Sequence, residues 1–124
     1  MSKLTYVQKA DLLEAAAKLI EDKGWCRNTE LDGRGHHCTL GAIQEVVSGS
    51  AFTVTDLSRE LAGAVCETIR SNNPGVLFPT PGTRCVTQFN DNLTVKSGKR
   101  TVIRLLLKAA AEVRKKGRPK AKAA

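Results

Sequence analysis

Apolar residues recur at helical spacing in four stretches of this chain, and a capping or breaking residue bounds each one, which limits the fold to a small helical domain. The clearest stretch opens with Thr5-x-x-Gln8, the form of a capping box, in which hydroxyl and amide each satisfy a backbone N–H of the first turn. Val7, Leu12, Leu13, Ala16, Ala17 and Ile20 follow on one face, and Glu14, Lys18, Glu21 and Lys23 lie largely on the other. Gly24 stands where a left-handed exit would end the helix.

The remaining stretches are read the same way. A short helix is expected from Thr39 through Leu40, Ala42, Ile43, Val46 and Val47 to Gly49, with Gly41 marking close approach to a neighbouring backbone. Thr53 or Thr55 caps a third helix carrying Leu57, Leu61, Ala64, Val65 and Ile69, ending by Ser71-Asn-Asn-Pro-Gly75. A last helix opens between Thr94 and Lys99 and carries Val102, Ile103, Leu106, Leu107, Ala110 and Val113. Between the first two helices, residues 25–38 lack a helical period, and Asp32-Gly33 and Arg34-Gly35 favour tight turns. Trp25–Glu30 and Gly35–Cys38 are read as the arms of a small irregular β-hairpin. Pro74, Pro79, Pro81 and nearby glycines make an irregular connection to about residue 90. The expectation is a mainly α domain of four helices and one hairpin, over residues 1–113, with 114–124 as a flexible basic tail.

The 124 residues suffice for one core, burying about two-thirds of the surface of the unfolded chain. No apolar run reaches the roughly 20 residues that cross a bilayer. The N-terminal residues lack the pattern of a secretory signal, so a cytoplasmic protein is expected, with Cys26, Cys38, Cys66 and Cys85 as reduced thiols rather than a disulfide framework. Five aromatic residues, Tyr6, Trp25, Phe52, Phe78 and Phe89, are too few for a surface that stacks single-stranded bases.

Taken in order, Leu12-Leu-Glu-Ala-Ala-Ala-Lys-Leu-Ile20 running into Gly24-Trp25-Cys26, then Cys38-Thr-Leu-Gly-Ala-Ile43, Phe89-Asn90-Asp91 and Val102-Ile-Arg-Leu-Leu-Leu-Lys-Ala-Ala110 form a recognisable series. The series resembles an uncharacterised small domain family found in actinobacteria and their phages, over about residues 8–113. That family carries Trp where this chain has Phe89, and opens its last helix sooner after the motif. The resemblance implies a mainly helical fold and a bacterial or phage origin, and it implies no activity.

Charge is the main pointer to a partner. Of twenty Lys and Arg, six lie among residues 114–124 with no acid; the other fourteen face twelve Asp and Glu, so the formal charge of +8 falls to +2 without that segment. A polycationic segment fits a polyanion. Lys116-Gly117-Arg118-Pro119-Lys120 resembles the core of an AT-hook, which lies extended in an A·T-rich minor groove. Lys116 replaces the usual Arg, a point charge in place of a planar fork. The expected nucleic-acid contacts are Arg114, Lys115, Lys116, Gly117, Arg118, Pro119, Lys120 and Lys122, most simply with DNA. Six engaged cations would give a log–log salt slope of about −5 and a roughly thousandfold loss between 50 and 200 mM salt. Lys96, Lys99, Arg100, Arg104 and Lys108 add a basic stripe on the last helix, ordinarily a solvated face. The reading is a small non-enzymatic accessory protein whose body serves as a protein-interaction module, with no cofactor.

A competing reading places an enzyme or ligand site around Trp25. Cys38 at a helix N-terminus is a position that favours a thiolate, His36 is its better placed base, and Asn90 or Asp91 would orient that base or line a polar recess. A buried thiol that caps the second helix accounts for Cys38 with less machinery. Cys26, His36, His37 and Cys38 do not have zinc-ligand spacing, and adjacent His37 and Cys38 would point opposite ways in an extended segment, so no metal is expected. Gly98-Lys99-Arg100-Thr101 is not a phosphate loop, because Leu93 stands where the upstream glycine is required.

Overall fold

The computed structural model describes residues 4–75 and 82–117, and their backbone forms five helices in the order α1 (Tyr6–Lys23), α2 (Thr39–Ser48), α3 (Asp56–Asn72), α4 (Thr83–Asp91) and α5 (Val95–Lys116). The most extensive pairing joins α1 to α5; α2 packs on α1, and α3 packs on α4 and α5. Both α1 and α5 bury small residues, Ala10, Ala16 and Ala17 on one and Ala109 and Ala110 on the other, which lets two helix axes approach closely. Leu13, Ile20, Ile43, Leu61, Ile69, Val102 and Leu106 fill the centre and are fully buried. Each such aliphatic side chain contributes about 1.5–3 kcal/mol.

Helix starts follow the side chains that cap them. Thr5 and Gln8 close the expected capping box on α1. Thr55, not Thr53, caps α3 and exchanges hydrogen bonds with Ser58, while Thr94 accepts from the Ser97 N–H at the head of α5. The Cys38 sulfur accepts the Gly41 N–H at 3.2 Å and so caps α2. Gly24 ends α1 at φ 107°, a backbone open essentially to glycine. A Cβ on Gly41 would lie 2.0 Å from the Glu30 carbonyl oxygen, so the expected close backbone approach is present.

Three expectations are corrected. The helices among the described residues number five, because α4 occupies residues placed in an irregular connection; its inner face is Cys85, Val86 and Asn90, and a polar Asn among so few apolar positions hides the period. The hairpin is reduced to two isolated bridges: His37 pairs parallel with Trp25 and antiparallel with Leu31. The Cys26 N–H donates to the His37 carbonyl and the His37 N–H to the Gly24 carbonyl, each at 3.0 Å, while the Cys38 N–H reaches Glu30 at 3.2 Å. The chain between those partners bends at Asn28, φ 70°, so residues 25–30 cannot run as one straight arm. The stripe on α5 is also rotated: Leu105 and Ala109 are buried, and Leu107 is 48% exposed.

The segment from residue 114 does not start as a loose tail. Arg114, Lys115 and Lys116 form the last turn of α5, where cations suit the negative helix end. Arg114 joins α1 through Glu14 at 2.8 Å and Asp11 at 3.1 Å. Gly117 ends the helix, and a Cβ there would sit 2.9 Å from the Tyr6 Cβ. Arg118, Pro119, Lys120 and Lys122 lie outside the described residues. No helix among the described residues is long and apolar enough to cross a membrane.

Candidate functional site

Residues 25–38 dock on the C-terminal end of α4 through one buried side chain. Asn90 is fully buried, and its Oδ1 accepts the indole N–H of Trp25 at 2.7 Å, the Thr39 N–H at 3.0 Å and the Thr39 hydroxyl at 2.7 Å. Its Nδ2 donates to the Cys26 carbonyl at 3.1 Å and to Asp91 Oδ1 at 3.0 Å. Asp91 Oδ1 also accepts the Asn28 N–H at 2.9 Å, which secures the left-handed bend, and Arg27 Nη1 donates to the Leu93 carbonyl at 3.1 Å. The six-membered ring of Trp25 abuts α5 at Gly98, where a Cβ would stand 2.1 Å from it. The expected neighbours Trp25, Asn90 and Asp91 do meet. What they build is a joint between a loop and three helices.

The remaining members of the proposed catalytic set do not converge. His36 turns to Asp32, Nδ1 to Oδ2 at 3.1 Å, while Asp32 Oδ1 accepts the N–H groups of Arg34 and His36 at 2.9 Å. The His36 N–H is the main reason that the Asp32 carboxyl sits below its usual range. Cys38 is 3% exposed, and burial pushes its thiol up to about 12 against the partial relief from the Gly41 N–H. A helix N-terminus was expected to favour the thiolate. Desolvation outweighs it here, leaving the neutral cap. The Cys26 thiol donates to the His36 carbonyl at 3.2 Å and the Thr29 carbonyl at 3.4 Å, and burial raises it to about 11. His37 Nε2 meets Glu45 Oε1 at 2.8 Å. Cys26, His36, His37 and Cys38 thus keep four separate partners, and no metal-holding group of three or more ligands occurs among the described residues.

Two other clusters carry chemistry. On α5, Lys96, Lys99, Arg100 and Arg104 are exposed, form no ion pair among the described residues, and line an open depression with Ile103 and Glu21. Lys108 is instead bonded to Asn72 Oδ1 at 2.5 Å. Of the cations expected in the tail, Lys115 reaches Glu112 at 3.8 Å and Lys116 reaches Glu67 at 3.4 Å, so all three described ones have carboxylate partners. The second cluster went unnoticed in the sequence. On α3, Arg70 Nε donates to the Cys66 sulfur at 3.4 Å, and Cys85 of α4 is fully buried. The i, i+4 spacing of Cys66 and Arg70 on one helix was the available signal.

Residues 5–112 match the family of unknown function DUF6197, and the chain belongs to that family. No curated protein and no solved structure gives a significant match.

Proposed function

We propose that this DUF6197 member is a non-enzymatic accessory protein that holds nucleic acid as a polyanion, chiefly through the exposed face of α5, with its helical body available for protein contact. The observation that carries this reading is the set of four exposed cations, Lys96, Lys99, Arg100 and Arg104, on one helix face, with no ion pair among the described residues. The charge map supports it. Residues 1–91 hold nine Lys and Arg against eleven Asp and Glu, whereas residues 92–124 hold eleven against Glu112 alone. Positive charge is therefore concentrated along α5 and the residues after it.

From Lys96 to Arg104 a helix rises about 12 Å. Duplex DNA presents about seven phosphates over that length, at one charge per 1.7 Å of axis. Four engaged cations give a log–log salt slope of about −3.6, hence a roughly hundredfold weakening between 50 and 200 mM salt. The AT-hook reading loses its glycine, since Gly117 caps α5 against Tyr6 instead of following a groove floor. The proposal is accordingly general phosphate contact, with Arg118, Lys120 and Lys122 as added charge.

The test is anisotropy of a labelled DNA duplex titrated with the full chain at several salt concentrations. Changing Lys96, Lys99, Arg100 and Arg104 together to Gln lowers the slope by about 3.6 in magnitude. Changing Arg114 and Lys116 to Gln leaves it nearly constant, because their charges already face Asp11, Glu14 and Glu67. Undiminished affinity and slope in the fourfold variant would reject the proposal. A truncation intended to remove the terminal cations belongs after Gly117, since a cut after Val113 also removes the last turn of α5 and its contacts with α1.

A further inference from the structure

The cations of α5 stand in a regular row. Lys96, Arg100 and Arg104 recur at i, i+4 and i+8, so successive charges rise about 6 Å along the helix, and Lys99 lies beside them. Apart from these four, only Ile103 and Glu21 line the depression, and Glu21 is already paired with Lys18 at 3.6 Å. Packing against α1 and α3 holds α5 in place, so the row has a fixed support.

The aromatic side chains are placed elsewhere. Tyr6 meets Gly117, about 20 Å along α5 from Arg104. The Trp25 ring abuts Gly98, which lies about 200° round the helix from Lys96 and Arg100. Phe89 packs against the core, and Phe52 belongs to the connection between α2 and α3. No aromatic side chain among the described residues lines the depression.

We infer that the α5 face selects double-stranded DNA over single strands of the same sequence, an inference that rests on the nucleic-acid reading above.

Two effects decide the preference, and their sizes can be compared. A duplex presents about seven phosphates over the length of the row, and one strand of it about half as many. Four engaged cations give a log–log salt slope of about −3.6 on a duplex and about −2.8 on a single strand. With the two lines meeting near 1 M salt, where screening is almost complete, the duplex is favoured about tenfold at 50 mM and about fourfold at 200 mM. A single strand must also be ordered along the row, a cost that the stiff duplex does not incur. The opposing effect is stacking. Each base laid on an aromatic ring favours the single strand by roughly five- to 150-fold, since the bases of a duplex are already stacked on one another. One such contact would match or reverse the phosphate effect. The face offers only aliphatic carbon to a base, at Ile103 and, one turn further on, at the half-exposed Leu107. Phosphate density prevails.

The experiment follows the anisotropy of a labelled short duplex, and of one of its strands alone, each titrated with the full chain at low and moderate salt. The duplex is expected to bind at least about tenfold more tightly at 50 mM salt, with the gap narrowing at 200 mM. Changing Lys96, Lys99, Arg100 and Arg104 together to Gln lowers the duplex-to-strand ratio about tenfold at 50 mM. Leu107→Trp places an aromatic ring beside Arg104 and raises single-strand affinity at least about fivefold, leaving duplex affinity nearly constant. Equal or tighter binding of the single strand by the parent, or a single-strand affinity that Leu107→Trp leaves unchanged, would overturn the inference. If the fourfold variant loses affinity for both forms in equal measure, the selectivity is rejected and the nucleic-acid reading stands. If the parent binds neither form, or the fourfold variant binds both as the parent does, both proposals fall together. Circular dichroism of each variant confirms that the helices are retained before affinities are compared.

Discussion

Asn90→Ala removes the buried side chain that joins Trp25 and Cys26 to Thr39 of α2, and its cost can be built from the partners left behind. The Thr39 N–H, the Thr39 hydroxyl and the Cys26 carbonyl lose Asn90, and Thr39 is fully buried. Each buried polar group left unsatisfied costs about 1–3 kcal/mol. The Trp25 indole N–H is half-buried and can recover water, and one water can enter the volume that the carboxamide vacates. About 3–4 kcal/mol therefore remains, a large part of the roughly 5–15 kcal/mol that holds a domain together. In a body of this size that is a fall in Tm of about 15 °C. Urea unfolding followed at Trp25, the only tryptophan, reports the loosening of the loop, and far-ultraviolet circular dichroism reports the helices. Asn92→Ala, exposed one turn-end away, serves as the control and should stay within about 0.5 kcal/mol. If Asn90→Ala costs less than about 1 kcal/mol, the hydrogen bonds converging on Asn90 are not what holds the loop, and the reasoning fails.

Gly41→Ala forces a methyl group against the Glu30 backbone, which no rotamer change relieves, so a loss of about 3 kcal/mol is expected in urea titrations. Cys38→Ser keeps a cap acceptor in a position where Ser is a favoured residue, and the unfolding midpoint should move by no more than about 1 kcal/mol; loss of the fold would show that sulfur volume rather than capping is required. The Asp32 carboxyl is lowered in the folded chain, so the stability it adds is present above the unfolded value of about 3.9 and disappears as pH falls through the folded value. Asp32→Asn should accordingly be less stable than the parent at neutral pH, with the gap closing in acid. A gap that is constant with pH would locate the effect in turn geometry rather than in charge.

Helices whose buried faces are wholly apolar could be read directly from the residues. Leu13, Ala16, Ala17 and Ile20 on α1, and Leu61, Val65 and Ile69 on α3, are both periodic and buried, and the Thr5–Gln8 and Thr55 caps lie where their chemistry requires. What escaped were features whose cause is tertiary. The inner face of α4 includes Asn90, whose polarity is tolerable only because Trp25, Thr39 and Cys26 supply partners from distant segments. Residues 25–38 imitate a hairpin because Asp32 makes a real turn, yet the His37 N–H and carbonyl pair with the Gly24 carbonyl and the Cys26 N–H. The candidate site suffered likewise. Asn90, Asp91 and Trp25 were correctly grouped, but only burial reveals that the group is a joint.

The pairing of α1 with α5 has a consequence for synthesis. While the ribosome is still making the middle of the chain, α1 has emerged with α2 to pack on it, but α5, its most extensive partner, does not yet exist. An isolated helix of that length is marginal in water, so the nascent N-terminal segment must wait, partly unwound and sticky, for residues beyond 100 to clear the exit tunnel. Folding is then a late event closed by the final helix, and a translational pause ahead of α5 would lengthen the interval in which chaperones or neighbouring nascent chains can capture the unfinished product.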